Sequence, residues 1–170
     1  MSKAVVLYLH AHQPWRLRHY TVFDCARAQN YFDTDPANDN DNRRVLLKVA
    51  DKSYKPTNAK LKYLLELYPD FKINLSISGV LLDQLERWAP DVLDSFKQLA
   101  DSGRLEIAAE TYYHSLAFFY DREEFEEQVR LHTPRLRKFS AKLLKCFAIP
   151  NSPTIMNWLA GLKAPATVAY

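Results

Sequence analysis

Phe71-Lys72-Ile73-Asn74-Leu75-Ser76-Ile77-Ser78-Gly79 is the stretch whose reading decides the fold. From 71 to 77 apolar and polar residues alternate strictly, the period of a β-strand with one face buried. Ser78 and Gly79 then turn the chain into a helical period, with Leu81, Leu82, Leu85 and Trp88 recurring on one side. A strand that runs straight into an amphipathic helix is the start of a crossover unit, and crossover units build parallel sheets.

The same grammar extends in both directions. Downstream, Pro90 suits the first position of a second helix, whose stripe is Val92, Leu93, Phe96 and Leu99. Gly103 is a stop signal, and residues 104–109 read as another strand. Asp121 caps a last predicted helix, with Glu123, Glu124, Glu126 and Glu127 near its positive end. Upstream, residues 4–9 form a continuous apolar run that reads as a buried strand. Residues 15–42 read as a long polar loop. Helices are expected from Asn42 to Ser53 and from Pro56 to Tyr68, with Pro56 in the first turn of the second. The order predicts an α/β fold with three parallel strands, which looks like the first half of a β/α barrel or doubly wound domain.

Composition bounds the function. The chain has 170 residues, 48% hydrophobic, enough for one compact core. Its longest apolar run falls well short of the ~20 residues that cross a bilayer. The N-terminus turns polar too soon for a signal peptide, so a cytoplasmic location is expected. Cys25 and Cys146 give no disulfide framework. The formal charge of +3 is unevenly placed: residues 133–170 hold six Lys/Arg and no Asp or Glu. Residues 1–132 hold the other 17 Lys/Arg against all 20 Asp/Glu, a net of −3. No nucleic-acid or membrane partner is expected. No Gly-rich phosphate loop is present. The acidic loop from Asp35 to Asp41 lacks the order of a calcium-binding EF-hand.

Ligands of α/β folds bind at the carboxyl ends of the strands. The first strand leads into His10-Ala11-His12-Gln13-Pro14-Trp15, the second into Ser76-Ile77-Ser78-Gly79. The third carries Glu106 and leads into Glu110-Thr111-Tyr112-Tyr113-His114. Imidazoles and carboxylates at one end of parallel strands can hydrogen-bond sugar hydroxyls, and Trp15, Tyr112 or Tyr113 can stack on a sugar's apolar face. His10-x-His12 also puts two potential metal ligands on one strand face, with Glu106 or His114 to complete a site.

The ordered segments His12-Gln13-Pro14-Trp15 and Gly103-Arg104-Leu105-Glu106-Ile107-Ala108-Ala109-Glu110-Thr111-Tyr112-Tyr113-His114-Ser115-Leu116 resemble the first two signature regions of family 57 glycoside hydrolases, in their α-amylase-like form. Tyr31-Phe32-Asp33, Lys48 to Pro56, Ser76-Ile77-Ser78-Gly79 and Gln84-Leu85-Glu86-Arg87 fit the same subgroup. The resemblance covers about residues 4–132. It implies a partial (β/α)7 barrel, of which this chain holds the first three strands with their crossover helices. It further implies action on an α-glucan or oligosaccharide with retention of configuration. No cofactor and no metal is expected. The substrate-binding residues expected here are His10, His12, Gln13, Trp15, Glu106, Glu110, Tyr113 and His114. The family supplies its nucleophile Glu and acid/base Asp from a third and a fourth region, and neither region is recognisable here. Glu106 and Glu110 cannot replace them, because four strand residues separate them by ~13 Å while a retaining pair needs about 5–5.5 Å.

The segment 133–170 breaks the pattern and is expected to be an out-of-frame tail, not a domain. Codons formed from the third base of each residue and the first two of the next can spell the family's third region. Lys145/Cys146 permits Val, and the following junctions permit Phe, Arg, Asn, Thr, Glu and, at Asn151/Ser152, Leu. Met156/Asn157 and Asn157/Trp158 give Glu and Leu without choice. The frame is expected to change between about His132 and Lys138. Residues 1–132 are thus read as the N-terminal part of a catalytic barrel, inactive alone. The alternatives are a metal-dependent hydrolase on His10 and His12, or a non-catalytic glucan-binding remnant.

Overall fold

A computed structural model describes residues 5–25, 31–32 and 41–138, and the backbone of residues 139, 146–148 and 155–157. Its centre is a three-stranded sheet of β1 (Tyr8–Ala11), β2 (Ile73–Ile77) and β3 (Leu105–Ala108). β2 lies in the middle and pairs in parallel with both neighbours. α1 (Asn42–Val49) and α2 (Lys55–Leu67) precede β2, α3 (Gly79–Trp88) and α4 (Pro90–Asp101) precede β3, and α5 (Arg122–Phe139) follows it. Two short strands, β4 (Cys146–Ala148) and β5 (Ile155–Asn157), pair antiparallel with each other in a separate sheet. Among the described residues no helix is long and apolar enough to cross a membrane.

The strand period of two separates the sheet's faces. Leu9 and Leu75 stand beside Ile107 in the register, and Ala11 beside Ile77. These side chains join the helices' apolar stripes in one core with Leu81, Leu85, Val92 and Phe96. The opposite face carries Tyr8, Asn74 and Glu106 in one row, then His10, Ser76 and Ala108 in the next. Helices thus bury one face, while the other presents polar groups.

Three boundaries differ from expectation for identifiable reasons. β1 begins at Tyr8, with Val5 98% exposed. The Leu7 carbonyl accepts from Asn74 N–H, but β2 starts only at Ile73, so residues 5 and 6 have no partner strand among the described residues. The two helices expected over 42–68 are joined by a π-helical segment, Ala50–Tyr54, in which Lys55 N–H reaches back to Ala50 O. Pro56 has no N–H to give, and a wide turn ahead of it fits a proline into a continuing helix. α5 continues through Pro134, with Leu136 buried and Arg135 bridging to Asp83 and Glu86 of α3. Ala4, Asp33 and most of the 35–41 acidic loop lie outside the described residues.

The β2–α3 junction depends on a small residue. Ser78 caps α3 by accepting from Leu81 N–H, and Gly79 lies against the ring of Tyr112. A β-carbon at Gly79 would stand 2.6 Å from Cγ and Cε2 of that ring. The ring cannot swing away cheaply, because its hydroxyl donates to Asp83 Oδ2 at 2.6 Å and Asp83 is also held by Arg135. Gly79→Ala is therefore expected to destabilise the chain by about 1–3 kcal/mol. Thermal denaturation followed by circular dichroism should show a clear drop in Tm, partly restored by adding Tyr112→Ala.

Candidate functional site

Beyond the last paired row, the polar face continues into the loops at the strand ends. β1 leads to His12, β2 to Ser78 and β3 to Glu110, all one step past His10, Ser76 and Ala108. Glu110 is buried, with 1% of its side chain exposed. Its Oε2 accepts from His10 Nε2 at 3.1 Å and from His114 Nδ1 at 3.0 Å. The turn after β3 returns His114 to Glu110. Thr111 O accepts from His114 N–H, and the Thr111 hydroxyl oxygen accepts from Ser115 N–H. His114 takes a left-handed backbone conformation, φ 56°, a sparsely populated state for a residue with a side chain.

His12 lies beside this pair. Its ring centroid is 4.4 Å from that of His114, which is itself 4.4 Å from that of His10. His12 Nδ1 is 2.8 Å from Ser78 Oγ. Ser78 already accepts from Leu81 N–H, so its hydroxyl hydrogen is free to point at the imidazole. Burial lowers the His12 pKa to about 4, and the neighbouring His114 adds to the effect. Burial also acts to raise Glu110, but the hydrogen bonds from His10 and His114 outweigh it and hold the carboxyl below the ordinary glutamate value. The site therefore combines an ionised buried carboxylate with a neutral imidazole at His12.

The other predicted residues separate into distinct roles. Glu106 is exposed on the same face, but in the row of Tyr8 and Asn74, so the cluster is built on Glu110 and His12 pairs with Ser78. Gln13 is buried; its carbonyl accepts from Gln84 Nε2, and its side-chain oxygen, in the amide orientation that satisfies both groups, accepts from Arg16. Trp15 packs between Phe32 and Trp88, with centroids 5.4 and 5.3 Å away. Tyr113 is largely exposed beside Tyr112.

One residue at the site escapes the sequence reading. His132 of α5 is fully buried, donates from Nε2 to Ile77 O at 2.8 Å and accepts Glu110 N–H at Nδ1. It ties the ends of β2 and β3 together and fixes the backbone of Glu110. Only the neutral ring can do both, and burial lowers its pKa accordingly. The sequence signal is a polar residue in the apolar stripe Phe125, Val129, Leu136.

His132→Phe would orphan Ile77 O and Glu110 N–H, a cost of about 2–5 kcal/mol in urea denaturation at pH 8. The folded-state pKa of His132 lies below its ordinary 6.5, so the unfolded chain binds the proton more tightly. The stability it contributes is complete above about pH 6.5 and is lost as the pH falls. Wild type should weaken between pH 8 and pH 5.5, and His132→Phe should lose less over that interval.

Comparison with known proteins shows the family. The profile of Glycosyl hydrolase family 57 matches residues 6–142. A Methanocaldococcus jannaschii protein provisionally named alpha-amylase is 41% identical over 108 residues, 61% of this chain and 23% of that protein. An alpha-amylase of Pyrococcus horikoshii is 31% identical over 94 residues, 55% of this chain and 14% of its own. The crystal structure of a 4-alpha-glucanotransferase from Thermococcus litoralis superposes with a TM-score of 0.59 at 23% identity, covering 85% of this chain and 18% of that one. The chain thus spans under a quarter of the length of these relatives. With four-fifths of its residues inside the family match, it belongs to glycosyl hydrolase family 57.

Proposed function

We propose that this chain forms the first three strands and crossover helices of an incomplete (β/α)7 barrel that binds an α-glucan on its polar sheet face. The observation that carries this reading is the Glu110–His10–His114 cluster at the carboxyl ends of parallel strands, in a chain of a glycosidase family. Hydrogen-bonding groups fixed by burial can hold sugar hydroxyls in one orientation, and Tyr113 offers an exposed ring for stacking. Relatives named for alpha-amylase and 4-alpha-glucanotransferase activity support a glucan as substrate class. A metallohydrolase that uses the His10–His12 pair is not favoured, since His12 is engaged by Ser78.

The polypeptide itself is proposed to be inactive, because a retaining glycosidase needs two carboxylates about 5–5.5 Å apart. Glu106 and Glu110 share a face but stand two register rows apart. Both catalytic carboxylates of the family belong to regions that the in-frame sequence does not contain. The frame change is proposed to lie between about His132 and Lys138, ahead of the shifted-frame spelling that begins at the 145/146 junction.

The test compares two polypeptides on a chromogenic maltooligosaccharide: the 170-residue chain, and the product of the gene with one frame correction near codon 135 and its natural downstream sequence. Cleavage is expected only from the second. Robust turnover by the 170-residue chain, lost on Glu106→Gln or Glu110→Gln, would refute the assignment.

A further inference from the structure

We propose that His10, Glu110 and His114 form a binding site for one divalent transition-metal ion of the zinc type. The inference goes beyond the glycosidase reading and does not depend on it, since it uses only side chains of this chain.

The donor set fits. Two imidazole nitrogens and one carboxylate oxygen is a known zinc ligand combination, and three protein ligands leave a coordination position for water or a sugar hydroxyl. His10 Nε2, Glu110 Oε2 and His114 Nδ1 all lie within 4.8 Å of one another. Two of the three separations are 3.1 and 3.0 Å. Ligand atoms around a tetrahedral ion at about 2.0–2.1 Å stand roughly 3.3 Å apart. The two edges at Oε2 are already close to that figure, and the third, within 4.8 Å, closes with an approach of the two rings of up to about 1.5 Å.

A second observation points to a ligand. Glu110 Oε1 is buried and has no hydrogen-bond partner among the described residues. Among them, too, the ion pairs of Glu110 are with His10 and His114 alone, with no lysine or arginine at the carboxylate. A buried carboxylate with one orphaned oxygen and no permanent cation is costly; a metal ion supplies the cation, and bidentate binding through Oε1 as well as Oε2 also pairs the orphaned oxygen. The side chains also form an exposure gradient: 1% at Glu110, 12% at His114 and 30% at His10. An ion therefore has a way in from the His10 side. The left-handed backbone at His114 fits the same reading, because strain of this kind persists where the surroundings demand one side-chain position.

The experiment uses the purified 170-residue chain after chelator dialysis, titrated with Zn2+ by calorimetry and with Co2+ by visible absorption. One equivalent of each is expected to bind, with Co2+ giving the intense absorption of a low-coordinate site. His10→Ala, His114→Ala and Glu110→Gln should each weaken binding at least tenfold, while Cys25→Ser, which removes an exposed competing thiol, should leave it unchanged. Should a variant misfold, proton NMR of wild type with Co2+ still decides: ring signals of His10 and His114 should show contact shifts, and those of exposed His19 should not. No binding of either metal, or stoichiometric binding indifferent to all three substitutions or sensitive to Cys25→Ser, would overturn the proposal. The first result would leave the three residues as a hydrogen-bonded carboxylate–imidazole cluster.

Discussion

A carboxylate taken out of water must be given donors, and at Glu110 that requirement organises the ends of all three strands. Its side chain draws His10 from the end of β1 and His114 from the turn after β3 onto a single oxygen. Its backbone N–H engages His132 of α5, whose other nitrogen holds the last carbonyl of β2. The same residue therefore links a helix to the sheet and the sheet to the site. Removing His132 would leave Glu110 N–H and Ile77 O unpaired, and removing His10 or His114 would halve the donors at Oε2, so the strand ends are coupled.

The arrangement is possible because the sheet has two unlike faces. Leu75, Ile77 and Ile107 point into the helices and supply the core. Tyr8, His10, Ser76 and Glu106 lie on the other face, where Ser76 is buried and Glu106 is exposed. Parallel strands bring the carboxyl ends to one edge, so residues distant in sequence, such as His12 and Ser78, meet without any long-range design beyond register. The core and the proposed site are thus carried by opposite faces of the same thirteen strand residues, about 25 cal/mol per Å2 of buried apolar surface supporting the first.

Much of this was legible in the sequence, where a side chain's role follows from local period. The strand read over 71–77 appears as Ile73–Ile77, and the helical stripes of α3 and α4 and the cap at Asp121 appear where expected. What period cannot give is the partner. Glu106 and Glu110 both fall on the polar face, and only the turn that carries His114 back by four residues selects Glu110 as the centre. Gln13 and Trp15 read as ligand groups, being strand-end polar and aromatic residues, and period does not foretell that the Gln13 backbone carbonyl accepts from Gln84 or that the Trp15 ring meets Trp88 of α3. His132 was hidden for the opposite reason: a histidine within an apolar stripe reads as a helix residue until its two partners, Ile77 and Glu110, are known. The π-helical segment at Ala50–Tyr54 is likewise a compromise between Pro56 and a continuing helix, which propensity alone places as a break.

The central claim is that two imidazoles hold a buried Glu110 in its charged form. Its most direct test is a carbon-13 NMR titration of the Glu110 side-chain carboxyl in metal-free protein, assigned by comparison with Glu110→Gln. The account predicts a midpoint below the ordinary glutamate value of 4.5 despite near-complete burial. A midpoint above that value would mean that burial outweighs the histidine hydrogen bonds, and would contradict it.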